Sequence, residues 1–224
     1  MKRYPAFMVM LLTAFVAVAE PEEGGLIPPA EEPAVELTAA SPAVERQPAA
    51  LVAFGDVDEA LIERAQQWAE ANLAIPVPRW VDHPTAQLTS FDEVGDLAAS
   101  LLEDERFGVV VLWRPVSDVM NHGAFFPERR VSVVNLNAMF TEDTDPEVIE
   151  RRVERQVIRG ICFVMGLEPN PNPHSAMFNY STLEELDAIG RNLDPPWLVR
   201  LQEAAAAAGI PLDPENPFNM IDER

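Results

Sequence analysis

Apolar and polar residues follow two different spacings along residues 51–224, which predicts a domain that contains both strands and helices. Nearly continuous apolar runs at 51–54, 107–113 and 130–136 are typical of buried strands. Between and after them, apolar residues recur three and four positions apart, which predicts helices. The alternation of short strands with helices indicates an α/β (α+β) fold.

Local signals mark where the predicted helices begin and end. Asp56 and Glu59 predict an N-cap with its capping-box partner for the first helix. Asp145 followed by Pro146 predicts the start of a long helix, and Gly166 predicts its left-handed end. The predicted helices are 57–72, 90–104, 146–165, 182–192 and 195–208.

The N-terminal residues have the pattern of a secretory signal peptide. Lys2 and Arg3 precede an apolar run at 6–16, and Ala17-Val18-Ala19 gives a small-x-small cleavage site. The apolar run is too short to span a bilayer, although a short N-terminal anchor is the alternative. We therefore expect a secreted or periplasmic protein that has no membrane span once residues 1–19 are removed.

Residues 20–50 predict an acidic, disordered tether, because proline, alanine and glutamate dominate them. The formal charge of the whole chain is −21, which argues against nucleic acid as a partner. The charge does not exclude a peptide or a protein as the partner. We expect a monomer. Cys162 is the only cysteine, so no intrachain disulfide can form.

Several motifs follow one another in order between residues 107 and 210. Met165-Gly166-Leu167 ends the long helix, and Met177 lies in the loop after it. The stretches NHGAFFPERRVSVVNL at 121–136 and STLEELDAIGRNLDPPW at 181–197 flank this region. Together they resemble the archaemetzincins, metzincin-type zinc peptidases with the signature H-E-x-x-H-x-x-G-x-x-H-C followed by C-x-M, L-E-E-V-D and C-P-x-C. The resemblance implies a single zincin-like domain whose mixed sheet packs on helices, including the former active-site helix.

The resemblance also places the family's catalytic positions on residues that do not bind zinc. The first histidine, the glutamate, the second histidine and the third histidine fall on Arg159, Gly160, Phe163 and Pro169. Arginine keeps its proton, glycine offers no base, and the other two residues carry no ligand atom. We therefore expect no catalytic residue and no zinc cofactor at these positions.

The four cysteines of the family's structural zinc site are also replaced. Their positions fall on Asn170, Ser175, Asp194 and Trp197. We expect Trp197 to fill the volume of the metal by apolar packing and Asp194 to cap the last helix ahead of Pro195.

Arg159, His122, His174 and Met177 are the candidate binding residues. Arg159 either lies in the cleft, where it pairs with an acidic neighbour or a ligand carboxylate, or belongs to a solvated basic run with 151–155. The histidines, with Glu168, form a relocated metal site in one interpretation and are exposed loop residues in the other. Met177 is expected at the floor of the cleft, and Cys162 is expected to be a packed, inert thiol rather than a nucleophile.

Three functional hypotheses follow. The first is an exported pseudopeptidase that has lost both zinc sites and binds peptide or a protein partner in the inherited cleft. The second is a divergent zinc peptidase with ligands relocated to His122, His174 and Glu168. The third is a structural protein whose cleft is closed. Bound metal would favour the second, and an open groove beside an edge strand would favour the first over the third.

Overall fold

The computed structural model describes residues 47–80, 87–102, 106–116, 118–141 and 143–220. The predicted signal peptide at 1–19, the tether before residue 47 and His83 lie outside the described residues. The first described strand begins at Ala50, and Gln47 forms an isolated bridge with Arg106.

Four strands form one mixed sheet: β1 (Ala50–Phe54), β2 (Val109–Trp113), β3 (Gly123–Phe126) and β4 (Val131–Asn135). Their spatial order is β1-β2-β4-β3. The first three in this order run parallel, while β3 pairs antiparallel with β4. Within the described residues, β3 is therefore an edge of the sheet. The predicted α/β fold with a mixed sheet is confirmed.

Five helices surround this sheet: α1 (Glu59–Leu73), α2 (Phe91–Ser100), α3 (Pro146–Val164), α4 (Leu183–Ala188) and α5 (Pro195–Ala207). None of the helices in the described ranges combines the length and the apolar character that a bilayer span requires.

Helices cover both faces of the sheet, which explains why the central strands are apolar along their whole length. On one face, Val110 and Leu112 of β2 pack in the larger hydrophobic core with α1, α3 and α5. On the other face, Val109, Val111 and Trp113 pack in a smaller core with α2. The long helix α3 thus lies directly on the sheet, beside the edge that β3 forms.

The start of α1 differs from the prediction. Asp58, not Asp56, is the N-cap, and its carboxylate accepts a hydrogen bond of 2.9 Å from the backbone N–H of Ala60. Gly55 has a φ of +92°, and the chain still turns at Asp56 before the helix begins. Glu59 is the first helical residue and pairs with Arg79 rather than with a cap.

Two helices are shorter than predicted. Ser90 caps α2 as expected for its start, but the helix ends at Ser100 instead of residue 104. Helix α4 ends at Ala188 because the chain turns extended at Ile189 and then passes close to the loop after α3. A Cβ atom on Gly190 would lie 1.8 Å from the carbonyl oxygen of His174, so only glycine fits there.

The long helix begins and ends where the sequence predicts. The carboxylate of Asp145 accepts a hydrogen bond of 2.8 Å from the backbone N–H of Glu147, and Pro146 is the first helical residue. Gly166 adopts a φ of +83°, and the N–H of Leu167 donates to the carbonyl of Cys162 over 2.9 Å. This left-handed turn sends the following loop back across α3.

Candidate functional site

A cavity of about 390 Å³ lies between the edge strand β3 and the helix α3. His122 and Phe125 border it on the strand side, and Arg159 and Phe163 border it on the helix side. Tyr180, from the loop that follows α3, also lines it. We call this cavity the groove.

Arg159 lies in the groove and not in solvent. The residue is only 7% exposed, and its Nη1 donates hydrogen bonds of 2.7 Å to the carbonyl oxygens of both Ala176 and Phe178. The hypothesis of a solvated basic run is wrong for this residue. Arg152 is also buried, and it pairs with Asp187. The expected acidic neighbour of Arg159 is replaced by backbone carbonyls among the described residues.

Aromatic rings surround the guanidinium of Arg159. Its Cζ lies 5.0 Å from the centroid of the Tyr180 ring and 5.4 Å from that of Phe163. Tyr180 stacks on His122 at a centroid distance of 5.5 Å, and Phe163 stacks on Phe125 at the same distance. The groove therefore holds a cation between ring faces, an arrangement that is favourable for charge.

Gly160 lets α3 lie close to the sheet. A Cβ atom at this position would lie 2.8 Å from Cγ1 of Val110 and 3.1 Å from Oγ of Ser132. The resemblance places the family's catalytic glutamate at this position, and here the helix instead contacts strands β2 and β4.

Burial shifts the pKa values of the ionisable groups in the groove. Burial lowers the pKa of Arg159, while Tyr180 and Cys162 oppose that shift, and arginine nevertheless stays protonated. Burial raises the pKa of the Tyr180 phenol against the influence of Arg159. Burial, followed by repulsion from Arg152, lowers the pKa of His122. At neutral pH the groove thus contains one fixed cation, a neutral phenol and a neutral imidazole.

The residues at the family's ligand positions do not fit a zinc ion. Arg159, Gly160 and Phe163 line the groove without a ligand atom, and Pro169 is exposed outside it. His174 and Glu168 are exposed and do not line the groove with His122. Within the described ranges, no three His, Cys, Asp or Glu residues are grouped so that they could hold a metal ion. The structure does not bring the proposed relocated ligands together.

Two other predicted residues belong to the core. Met177, expected at the floor of the cleft, is completely buried in the larger hydrophobic core and does not line the groove. Its loop folds inward because the N–H of Asn170 donates to the Met177 carbonyl over 2.9 Å. Cys162 is also fully buried, which confirms the prediction of a packed thiol, and burial raises the pKa of that thiol.

Hydrogen bonds connect residues at the positions of the second zinc site. The carboxylate of Asp194 accepts hydrogen bonds from the side-chain amides of Asn170, over 2.5 Å, and Asn172, over 3.1 Å. Asp194 is the N-cap residue of α5, as predicted, but its side chain makes no capping bond. Trp197 packs against the larger core as predicted, and its Nε1 donates to the carbonyl of Glu168 over 3.0 Å.

The remaining position, Ser175, is completely buried beneath the same loop. Its N–H donates to the carbonyl of Asn172 over 3.0 Å. Polar contacts and apolar packing therefore hold the loop at the positions where the family has four thiolates.

A second cavity, of about 480 Å³, continues the groove past the stacked rings. It shares Phe125 and Phe163 with the groove, and it is otherwise lined by Pro127, Val164 and residues 166–169. The two rings thus separate a polar half, which contains Arg159, from a more apolar half.

Sequence reasoning missed several residues of the groove. Phe125 lies in the segment at 121–136 that resembles the family, but no apolar run there predicts β3. Tyr180 and Gln156 belong to no motif, yet the hydroxyl of Tyr180 accepts a hydrogen bond of 2.8 Å from the Gln156 amide. Gln156 precedes Arg159 by one helical turn, and that spacing on α3 is the signal that was available.

Comparisons with known proteins support this picture of the fold. Neither a protein-family model nor a curated protein matches the chain. The crystal structure of archaemetzincin from Methanopyrus kandleri matches with 17% identity and a TM-score of 0.56, over 75% of this chain and 99% of that one. A zinc-dependent peptidase from Methanocorpusculum labreanum matches with 15% identity and a TM-score of 0.54, over 68% of this chain and 99% of that one.

At these identities the likeness concerns the architecture and not the chemistry of the site. It agrees with the motifs that follow one another along the sequence. The chain has the fold of the archaemetzincins.

Proposed function

We propose that this chain is an exported, non-catalytic relative of the zinc peptidases, and that it binds an extended peptide segment of a partner along β3. One observation carries the proposal: an edge strand borders an open groove whose centre holds Arg159 instead of a metal-binding group. An open groove also speaks against a purely structural protein with a closed cleft.

The pairing of β3 supports the binding of a strand-like peptide. The N–H of Asn135 donates to the carbonyl of His122 over 2.9 Å, which makes these two residues a hydrogen-bonded pair. Because such pairs alternate along an antiparallel ladder, the backbone groups of Gly123 and Phe125 point away from β4. An extended peptide can add to such an edge through main-chain hydrogen bonds.

The chemistry of the groove supports binding over hydrolysis. Peptide hydrolysis by a zincin requires three metal ligands and a general base that activates water. Gly160 provides no base, and the fixed charge of Arg159 would repel a divalent ion. No observation favours the alternative of a divergent metallopeptidase, since only His122 of its three proposed ligands lines the groove.

Export is proposed from the sequence alone. The signal-peptide pattern of residues 1–19 and the acidic tether after it are the support for this part of the proposal. Export into an extracytoplasmic compartment also suits a domain that has a single, buried cysteine.

Peptide retention tests the proposed function. The full chain is incubated with a pool of random hexapeptides, and bound and free peptides are then separated by gel filtration and identified by mass spectrometry. We expect retained, uncleaved peptides, and no retention of a matched pool with N-methyl groups on alternate amides. Cleaved products, or equal retention of both pools, would contradict binding without catalysis along β3.

A further inference from the structure

Helix α3 carries three buried arginines, Arg152, Arg155 and Arg159. The first and the last lie about two turns apart and differ in one respect. Each uses Nη1 to donate to backbone carbonyl oxygens. Only Arg152 also has a carboxylate partner among the described residues.

Arg152 shows the complete arrangement. Nη1 donates to the carbonyl of Met139 over 2.7 Å. Nε and Nη2 donate to the two carboxylate oxygens of Asp187 over 2.9 and 2.6 Å. This is the two-pronged geometry in which a guanidinium matches a planar carboxylate most closely.

Arg159 has the first half of this arrangement. Its Nη1 is held by the carbonyls of Ala176 and Phe178. Within the described residues, no acceptor bonds its Nε or Nη2, and neither of these atoms is sealed from solvent. The two-pronged edge of the guanidinium is thus available to a molecule in the groove that Arg159 lines.

The positive charge of Arg159 also lacks an opposite charge among the described residues that line the groove. No Asp or Glu occurs among the described residues that line the groove, although the chain as a whole has a formal charge of −21. Arg159 is only 7% exposed, and a largely buried charge is costly unless an opposite charge and hydrogen bonds compensate for it. A bound anion would supply both.

We propose that Nε and Nη2 of Arg159 bind a carboxylate of the peptide in the groove, in the way that Arg152 binds Asp187. This inference rests on the proposed function, since it names the chemistry of the peptide that the groove accepts. The carboxylate comes either from the peptide's C-terminus or from an acidic side chain.

The surroundings favour a singly charged, planar group over a phosphate. Arg159 is the only cation among the described residues that line the groove, and a phosphate dianion would leave one charge without a partner. His122, the other basic residue in the groove, has a lowered pKa and is neutral at neutral pH. The rings of Phe163 and Tyr180 face the guanidinium and give the carboxylate an environment with little water.

Three peptide pools test the proposal with the full chain. All are N-acetylated, fluorescently labelled hexapeptides: one with a free C-terminal carboxylate and no acidic side chain, one with the same sequences as C-terminal amides, and one of amides that each contain a glutamate. Fluorescence anisotropy gives the affinity of each pool for the wild type, for Arg159→Gln and for Arg151→Gln. Arg151 lies on the same helix but outside the groove. Arg151→Gln is therefore the control, because it removes the same charge without changing the groove.

We expect one of the two acidic pools to bind roughly tenfold or more tightly than the neutral amide pool. Tighter binding of the first pool identifies a C-terminal carboxylate, and tighter binding of the third identifies an acidic side chain. The higher affinity of that acidic pool over the neutral amide pool disappears in Arg159→Gln and persists in Arg151→Gln.

Two outcomes overturn the inference and are distinguishable. If all three pools bind equally, the carboxylate site is wrong while the proposed peptide groove stands. If no pool binds, both proposals fail. Should Arg159→Gln fail to fold, the Nε–H resonance of Arg159 in the wild type decides: it shifts on addition of the acidic pools only if the carboxylate binds there.

Discussion

Nη1 of Arg159 donates a hydrogen bond to the carbonyl oxygen of Phe178 over 2.7 Å, which connects the middle of α3 to the loop that covers it. The same nitrogen donates to Ala176 over the same distance. At the position where the resemblance places the first zinc-ligating histidine, an arginine thus holds the loop through hydrogen bonds to its backbone.

Replacement of Arg159 by methionine should therefore destabilise the protein. The substitution keeps most of the apolar stem but removes the donor for two largely buried carbonyls, so we expect the free energy of unfolding to fall by about 2 kcal/mol. Denaturation in urea measures it. Arg151→Met, at a half-exposed position on the same helix, should cost less than about 0.5 kcal/mol. Equal, small losses in both variants would show that water replaces the guanidinium without penalty.

Gly160→Ala should also destabilise the fold, although alanine has the higher helix propensity. Alanine favours a helix by about 1 kcal/mol over glycine, but its Cβ would lie 2.8 Å from Cγ1 of Val110 in the central strand. We expect a net loss of about 1–2 kcal/mol in the free energy of unfolding. A stabilised Gly160→Ala variant would mean that α3 can move away from the sheet at little cost.

The double variant Gly160→Ala with Val110→Ala isolates the contact. Its loss should be smaller than the sum of the two single losses, because the shorter side chain at position 110 makes room for the new methyl group. Additive losses would assign the effect of Gly160→Ala to something other than this contact.

Substitutions of Phe125 and Phe126 should affect peptide binding and protein stability separately. Phe125 is 37% exposed and stacks on Phe163 in the groove, whereas Phe126 packs against the smaller core on the other face of the sheet. Phe125→Ala should weaken retention of the hexapeptides several-fold and change stability little. Phe126→Ala should lower the melting temperature and leave the affinity of the folded protein unchanged. The reverse pattern would contradict the location of the peptide.

The stability of the protein should depend on His122 under mildly acidic conditions. Its pKa in the folded state is lowered from the ordinary value of 6.5, chiefly by burial, so the unfolded chain takes up this proton first as the pH falls. The free energy of unfolding is therefore unaffected by His122 above pH 6.5 and decreases as the pH falls from 6.5 toward the folded-state pKa. His122→Gln should show a flatter dependence in this range. An unchanged slope in that variant would remove His122 as the cause.

Much of the fold follows from local sequence signals. The apolar run of β2 and the Asp145-Pro146 start of α3 predict their elements because burial on two faces and helix capping leave residue-specific patterns. The edge strand β3 has no such pattern. Its residues begin with Gly123 and end before Pro127, and they form a strand because β4 pairs with them.

The candidate site was predictable only in part. The motif order places Arg159 in the groove, but its partners are backbone carbonyls, which carry no sequence signature. Asp194 has the sequence context of a helix cap, yet its carboxylate bonds Asn170 and Asn172, because the turn at Gly166 returns the loop to it. Contacts between distant segments of the chain override the local preference in each case.

The zinc content of the purified full chain, measured by elemental mass spectrometry after desalting, tests the central claim that this archaemetzincin fold no longer holds a catalytic metal. The account predicts no stoichiometric zinc and an unfolding transition that a chelator does not shift. Close to one zinc ion per chain, lost in His122→Ala or His174→Ala, would contradict it and would identify a relocated metal site.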